Sequence, residues 1–227
     1  ISTEPLHHEP GTKYLYGISQ SILGRVAEVA SGKSFDIFLK ESLFDPLEMN
    51  RTGFYLDEKT KKLLQPLYVS GGNLEGFNED GITRIGNMMT YHKNSQTPLG
   101  AEGVLTTTGD FSNFCEMLVS NGSFKGKKIL APESIGLMTS KFSEGYPEEY
   151  WGEQYFLGFY KGLSVYVLED PNKMDLNAPK GIYGWSGLQN TFFWIDPENS
   201  IYGILLSRSM SCGLPYEELL NNTYENF

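Results

Sequence analysis

The chain has 227 residues, enough for one domain or for one domain with a subdomain. Its 40% hydrophobic and 20% charged residues are those of an ordinary globular protein, so disorder is not the default reading. With 28 acidic against 18 basic residues the net charge is −10 and the pI about 4.8, which opposes any general affinity for nucleic acid, whose phosphates demand clustered Lys and Arg.

No run of eighteen apolar residues occurs, so no membrane-spanning helix is expected. Cys115 and Cys212 are too few for a disulfide scaffold, and Cys115 falls on the apolar stripe of a predicted helix, as a small buried hydrophobe would. His7, His8 and His92 have no partner cysteines and no metal-ligand spacing; no metal and no cofactor is expected. No signal peptide is visible at Ile1, and three N-x-[ST] matches at Asn50, Asn121 and Asn221 are weak signals of secretion. The compartment, cytoplasmic or secreted, stays open.

In chain order, a turn at Pro10-Gly11 precedes a helical pattern in which Ile18, Ile22, Val26 and Val29 recur at spacings of three and four. Ser19 can cap its start and Gly32 sits where a C′ glycine belongs. Gly24 in mid-helix costs about 1 kcal/mol against Ala, so close packing against a neighbour is expected there. A second helix starts at Ser34, turns Phe35, Phe38 and Leu39 inward and stops before Pro46. From about 56 to 99 the glycines 71, 72, 76 and 81 and Pro98 indicate a loop-rich excursion, a small subdomain or a lid.

Regular structure resumes after Thr108-Gly-Asp110, with Phe111, Phe114, Cys115, Leu118 and Val119 on one helical face and Gly122 ending it. Pro132 opens a short helix at its first position, where the missing N–H does no harm. Segments 155–160, 163–168, 190–195 and 201–207 are aromatic and β-branched, and Asp196-Pro-Glu-Asn-Ser200 joins the last two as a hairpin. A final amphipathic helix carries Tyr216, Leu219, Leu220 and Thr223. Helices, then hairpins, then a covering helix predict a single α+β domain over 1–227, an antiparallel sheet flanked by helices.

Two motifs fail inspection. Ala30-Ser-Gly-Lys-Ser34 ends like a phosphate-binding loop, but it follows a helix and has Ala27 where the first glycine belongs. Gly184-Trp-Ser-Gly-Leu188 looks like a nucleophile elbow, but its fifth position is leucine and it runs on into a strand.

Three stretches, taken in order, resemble the serine β-lactamase and penicillin-binding-protein family, in particular the class C β-lactamases and related carboxylesterases. The first is Glu9-Pro-Gly-Thr-Lys-Tyr-Leu-Tyr16 with the helix after it and Pro46-Leu-Glu-Met49. The second is Leu99-Gly-Ala-Glu-Gly-Val-Leu-Thr-Thr-Thr-Gly-Asp110 with Ile129-Leu-Ala-Pro132, and the third is Tyr183-Gly-Trp-Ser-Gly187 leading to Phe193-Trp-Ile-Asp-Pro197. The resemblance implies a β-lactamase/transpeptidase-like fold and an acyl-enzyme formed on the serine of S-x-x-K. It implies that Tyr16, at the tyrosine of Y-x-N, acts as general base and acid. Trp185, Ser186 and Gly187 take the K-T-G position as substrate-binding residues, and the backbone N–H of Leu188 becomes an oxyanion donor.

Ile18 replaces the asparagine of Y-x-N, and Trp185 replaces the lysine of K-T-G, removing a cation that would attract a carboxylate. Both favour a neutral ester or amide substrate. No serine in the chain is followed three residues later by lysine. The nucleophile is therefore expected upstream of Ile1, in an N-terminal segment whose helix and first strands would pack beside the last helix and cover apolar surface and a strand edge. The expected function is ester hydrolysis by a serine hydrolase of which this chain is a truncated, by itself inactive part. The alternatives are a non-enzymatic binding or assembly module on the same scaffold, and a D-amino-acid peptidase, β-lactamase or acyltransferase.

Overall fold

The computed structural model describes residues 5–12, 14–65, 68–69, 98–144, 157–210 and 216–225. Most of the excursion expected at about 56–99, with His92 and Cys212, lies outside the described residues.

Helix α1 (Ser19–Ser31) occupies the first predicted helix and ends at Gly32 in the left-handed conformation (φ 69°), whose N–H bonds the Glu28 carbonyl at 2.9 Å. Its start differs from expectation. Ile18, not Ser19, stands at the cap, and it has no side-chain acceptor to offer. Gly24 meets the neighbour its sequence position called for: a Cβ there would lie 3.2 Å from the Gly100 Cα. At Gly100 the fit is tighter still, since a Cβ would lie 2.1 Å from the Gln20 carbonyl oxygen. The chain at Leu99-Gly100 thus rests on the α1 backbone, a contact open only to glycine. The apolar side chains Ile18, Ile22, Leu23, Val26 and Val29 are exposed among the described residues.

Helix α2 (Phe35–Leu39) continues into a π-helical turn, Lys40–Phe44, and the helix stops before Pro46 as expected. Ser34 occupies the cap in extended conformation without making a cap bond. The Glu28 carboxylate does so instead, accepting the Phe35 N–H at 3.0 Å. Arg25 and this N–H together hold the Glu28 carboxyl below the usual carboxylate range. A short strand β1 (Tyr68–Val69) follows.

Helix α3 (Thr108–Val119) is capped by Thr107, whose Oγ1 accepts the Asp110 N–H at 3.2 Å. The Asp110 carboxylate in turn accepts from the Arg51 N–H (2.7 Å) and the Thr52 hydroxyl (2.9 Å), tying the loop after Pro46 to the helix start. Cys115 is fully buried on the inner face, and burial pushes its thiol up to about 12. It behaves as the predicted apolar filler. A hairpin of β2 (Ser123–Phe124) and β3 (Lys127–Lys128) leads to α4 (Pro132–Met138), with Pro132 at its first turn.

Six strands then form one antiparallel meander in which spatial order equals chain order: β4 (Ser143–Glu144), β5 (Phe159–Lys161), β6 (Tyr166–Leu168), β7 (Tyr183–Gly187), β8 (Thr191–Asp196) and β9 (Ile201–Leu205). Within the described residues β5 and β6 begin later than the predicted segments 155–160 and 163–168, and β7 adds a strand between the second of these and 190–195. Strand β10 (Ser209–Met210) pairs in parallel with β1, and α5 (Tyr216–Tyr224) closes the described chain.

The sheet separates two apolar layers. On one side Val167, Tyr183 and Ile195 pack with Cys115, Met117 and Leu118 of α3 and with Leu47 and Met49. On the other, Leu168, Ile182, Phe192 and Trp194 pack with Tyr216 and Leu220 of α5. Helices on both faces of an antiparallel sheet are the α+β architecture expected from the element order.

A buried carboxylate joins sheet and last helix. Asp196 has no exposed surface, and it accepts the N–H groups of Glu198 and Asn199 at 3.0 Å, the Asn199 amide at 2.8 Å and the Tyr224 hydroxyl at 2.8 Å. Removing that hydroxyl takes a donor from a buried charge. Tyr224→Phe is therefore expected to lower unfolding free energy by about 1.5–3 kcal/mol in urea titration. Gly100→Ala should also destabilise the protein, by about 1–3 kcal/mol in the same titration, because the Gln20 carbonyl cannot retreat without moving α1.

Candidate active site

The residues singled out from sequence come from two places, the segment entering α1 and the end of β7. Tyr16 lies on the entry segment, about half exposed, and its ring stacks on Trp185 with centroids 6.3 Å apart and planes 18° from parallel. Trp185 lies almost flat on Tyr166 of β6, at 4.7 Å and 3°. Gln20, in the first turn of α1, donates from its side-chain amide to the Ser164 hydroxyl in the β5–β6 turn. Helix entry and sheet therefore meet at both of these points.

Strand pairing explains why β7 can serve as a fixed wall. Trp185 is in register with Phe193 on β8, and the Phe193 ring meets Phe111 of α3 edge-on at 5.3 Å. The strand paired with β7 is thus keyed to the helical layer of α3.

Ser186 sits within β7, paired to Phe192, in regular strand geometry. It is no nucleophile elbow, as its sequence context foretold. Gly187 pairs with Thr191, and the chain turns through Gly187–Asn190, closed by the Asn190 N–H to the Gly187 carbonyl at 3.0 Å. Leu188 is the second residue of this turn, so its N–H takes no part in the closing bond. The turn is pinned from outside: the Ser209 N–H donates to the Gln189 carbonyl at 3.2 Å, and the Asn190 amide to the Ser209 hydroxyl at 3.1 Å.

A residue that sequence reasoning missed lies at the centre of this cluster. Lys161, at the end of β5, is 6% exposed. Its Nζ stands 4.4 Å from the Tyr14 ring centroid, 5.2 Å from Tyr16, 4.7 Å from Tyr166 and 4.5 Å from Trp185. It donates to the Tyr14 hydroxyl and, at 3.4 Å, to the Tyr166 hydroxyl. Burial pulls the ammonium down to about 8. The available signal was a lysine closing an aromatic strand, Phe159-Tyr160-Lys161, where alternation places it on the side of Phe159.

The arrangement offers an exposed phenol, an apolar ring wall, a backbone N–H at a pinned turn and a buried cation. Among the described residues no group of three or more His, Cys, Asp or Glu is placed to hold a metal ion, and no helix is long and apolar enough to cross a membrane.

Comparison with known proteins bears on the family and the fold. The chain is 27% identical over 218 residues to Protein Rv1367c of Mycobacterium tuberculosis, spanning 93% of this chain and 52% of that protein. It is 23% identical over 219 residues to an Escherichia coli K12 protein named as a candidate D-alanyl-D-alanine carboxypeptidase, spanning 91% of this chain and 48% of that one. The chain thus spans about half the length of the curated relatives it matches. Among solved structures, EstCE1, described as a hydrolase with promiscuous acyltransferase activity, superposes with a TM-score of 0.76 at 21% identity, over 96% of this chain and 57% of its own. The family model described as Beta-lactamase matches residues 1–215. The chain belongs to the beta-lactamase family.

Proposed function

We propose that this chain carries one wall of the acyl-transfer site of a serine hydrolase acting on neutral carboxylic esters. The serine and lysine of S-x-x-K would come from polypeptide outside these 227 residues. The observation that carries the reading is the stacking of Tyr16 on Trp185, with the Leu188 turn three residues further along.

In this reading the serine Oγ gives its proton to the Tyr16 oxygen, whose own proton passes to the neutral amine of the S-x-x-K lysine, and attacks the ester carbonyl, while the Leu188 N–H stabilises the oxyanion. The tetrahedral intermediate expels the alcohol, which takes a proton back from Tyr16, leaving an acyl-serine. Water, activated by the same phenol, releases the acid and restores the serine.

Substrate polarity follows from Trp185. A ring at this point gives an apolar wall and offers no ion pair to a free carboxylate. That favours a neutral ester over an anionic β-lactam or a peptide C-terminus. The hydrolase and acyltransferase activities named for EstCE1 support acyl transfer as the reaction class. The carboxypeptidase named for the Escherichia coli relative is the second reading within the family, and Trp185 in place of the K-T-G lysine weighs against it.

In the full-length polypeptide, Tyr16→Phe is expected to lower kcat for a p-nitrophenyl ester by about 100- to 10,000-fold with the fold intact by circular dichroism. Undiminished turnover would remove Tyr16 from the mechanism. A fluorophosphonate probe is expected to label the full-length polypeptide on one serine. A folded protein that resists labelling would point to the binding-module alternative.

A further inference from the structure

Lys161 plays no part in the mechanism above, yet it touches the two rings that the mechanism needs. Its ammonium lies 5.2 Å from the Tyr16 centroid and 4.5 Å from Trp185, with Tyr14 and Tyr166 completing the enclosure. Burying an ammonium is costly unless something replaces its water, and here ring faces and two phenol oxygens do so in part. β5 is two strands from β7, so the cation reaches, from behind, the wall at whose position 185 the resembled family carries a lysine. At 6% exposure it cannot meet a substrate carboxylate without parting the rings. Any influence it has on the reaction passes through Tyr16 and Trp185.

We propose that Lys161 is a positioning residue of the acyl-transfer site, its ammonium clamping Tyr16 against Trp185 and so fixing the direction in which the Tyr16 phenol points. The proposal rests on the role assigned to Tyr16 above. A cation attracts a ring face through the ring quadrupole, and a neutral amine does not. The clamp therefore exists only while Lys161 is protonated.

This gives the clamp a signature in pH. The titratable groups seen facing Nζ among the described residues are the phenols of Tyr14 and Tyr16 from the entry segment and of Tyr166 from β6. Lys161 loses its proton near pH 8 in the folded protein, against about 10.4 for an unfolded lysine. Between those values the unfolded chain binds more protons than the folded one, so Lys161's contribution to stability improves as pH rises through the window. The clamp weakens over the same window. Stability and turnover should therefore move in opposite directions, whereas a lysine that only filled space would leave turnover unaffected.

The test is ester turnover and thermal unfolding of the full-length polypeptide between about pH 7 and 10, for the wild type, Lys161→Met and Tyr16→Phe. Wild-type kcat is expected to fall roughly tenfold through a step near pH 8, the scale of a desolvated cation–π contact, while its Tm rises relative to that of Lys161→Met. Lys161→Met is expected to show the lowered kcat already at pH 7, with KM unchanged and no step near pH 8. A folded Lys161→Met with wild-type kcat and the same step would overturn the clamp. Should that variant fail to fold, the wild-type profile decides: a kcat without a step between about pH 7 and 9.5 overturns the proposal, and a step there supports it. If Tyr16→Phe keeps full turnover, the acyl-transfer reading itself fails. If Tyr16→Phe is inactive and Lys161→Met behaves as wild type, only the clamp fails.

Discussion

Tyr16 arrives at the sheet on a segment without regular secondary structure, and ring faces hold it there. Its ring lies over Trp185, Trp185 lies flat on Tyr166, and the Lys161 ammonium sits among all three. Stacked aromatic pairs each contribute about 0.5–1.5 kcal/mol beyond their buried area, and a desolvated cation over a ring adds up to about 2 kcal/mol. The seating of the entry segment on the sheet depends on this cluster, while the wall strand itself is held by backbone pairing. Among the described residues the other direct link between α1 and this turn of the sheet is the Gln20 amide on Ser164.

The rest of the fold can be read as support for that contact. β7 is held by full pairing with β8, and β8 is keyed to α3 through Phe193 and Phe111. On the opposite face Trp194 and Phe192 pack against α5, and Asp196 bonds Tyr224 across the same boundary. Trp185 therefore projects from a strand fixed on both faces. The entry segment is positioned differently, by the backbone approach of Gly100 to α1 at Gln20 and Gly24. A rigid strand and a helix seated on a glycine contact present the two rings to each other.

Much of this was legible in the residues because it depends on local pattern. Period 3.6 and period 2 located the helices and the hairpins, and Gly32, Gly24 and Pro132 have the conformational or packing reasons their types suggest. Tyr16 and Trp185 could be paired in advance through the resemblance, although neither stands out by composition. What escaped depends on distant partners. The cap of α2 is filled by Glu28, seven residues upstream of the amide it accepts, and no local rule chooses it over Ser34. Lys161 was unreadable for the same reason. Strand alternation gives its side, but only the register of β5, β6 and β7 and the approach of residues 14–16 reveal that four rings converge on it.

The placement of charge at this wall differs from what the Lys-to-Trp replacement at 185 alone would suggest. Removing a cation from the cleft surface makes that surface neutral, yet the structure retains a cation one layer behind it. A ring between an ammonium and the cleft blocks hydrogen bonding and close ion pairing, the interactions that select a carboxylate by contact. With a chain of net charge −10, this buried lysine sets a locally positive environment inside an acidic molecule. Such an arrangement withholds contact recognition from anions at the cleft surface while seating the charge against the rings of Tyr16 and Trp185.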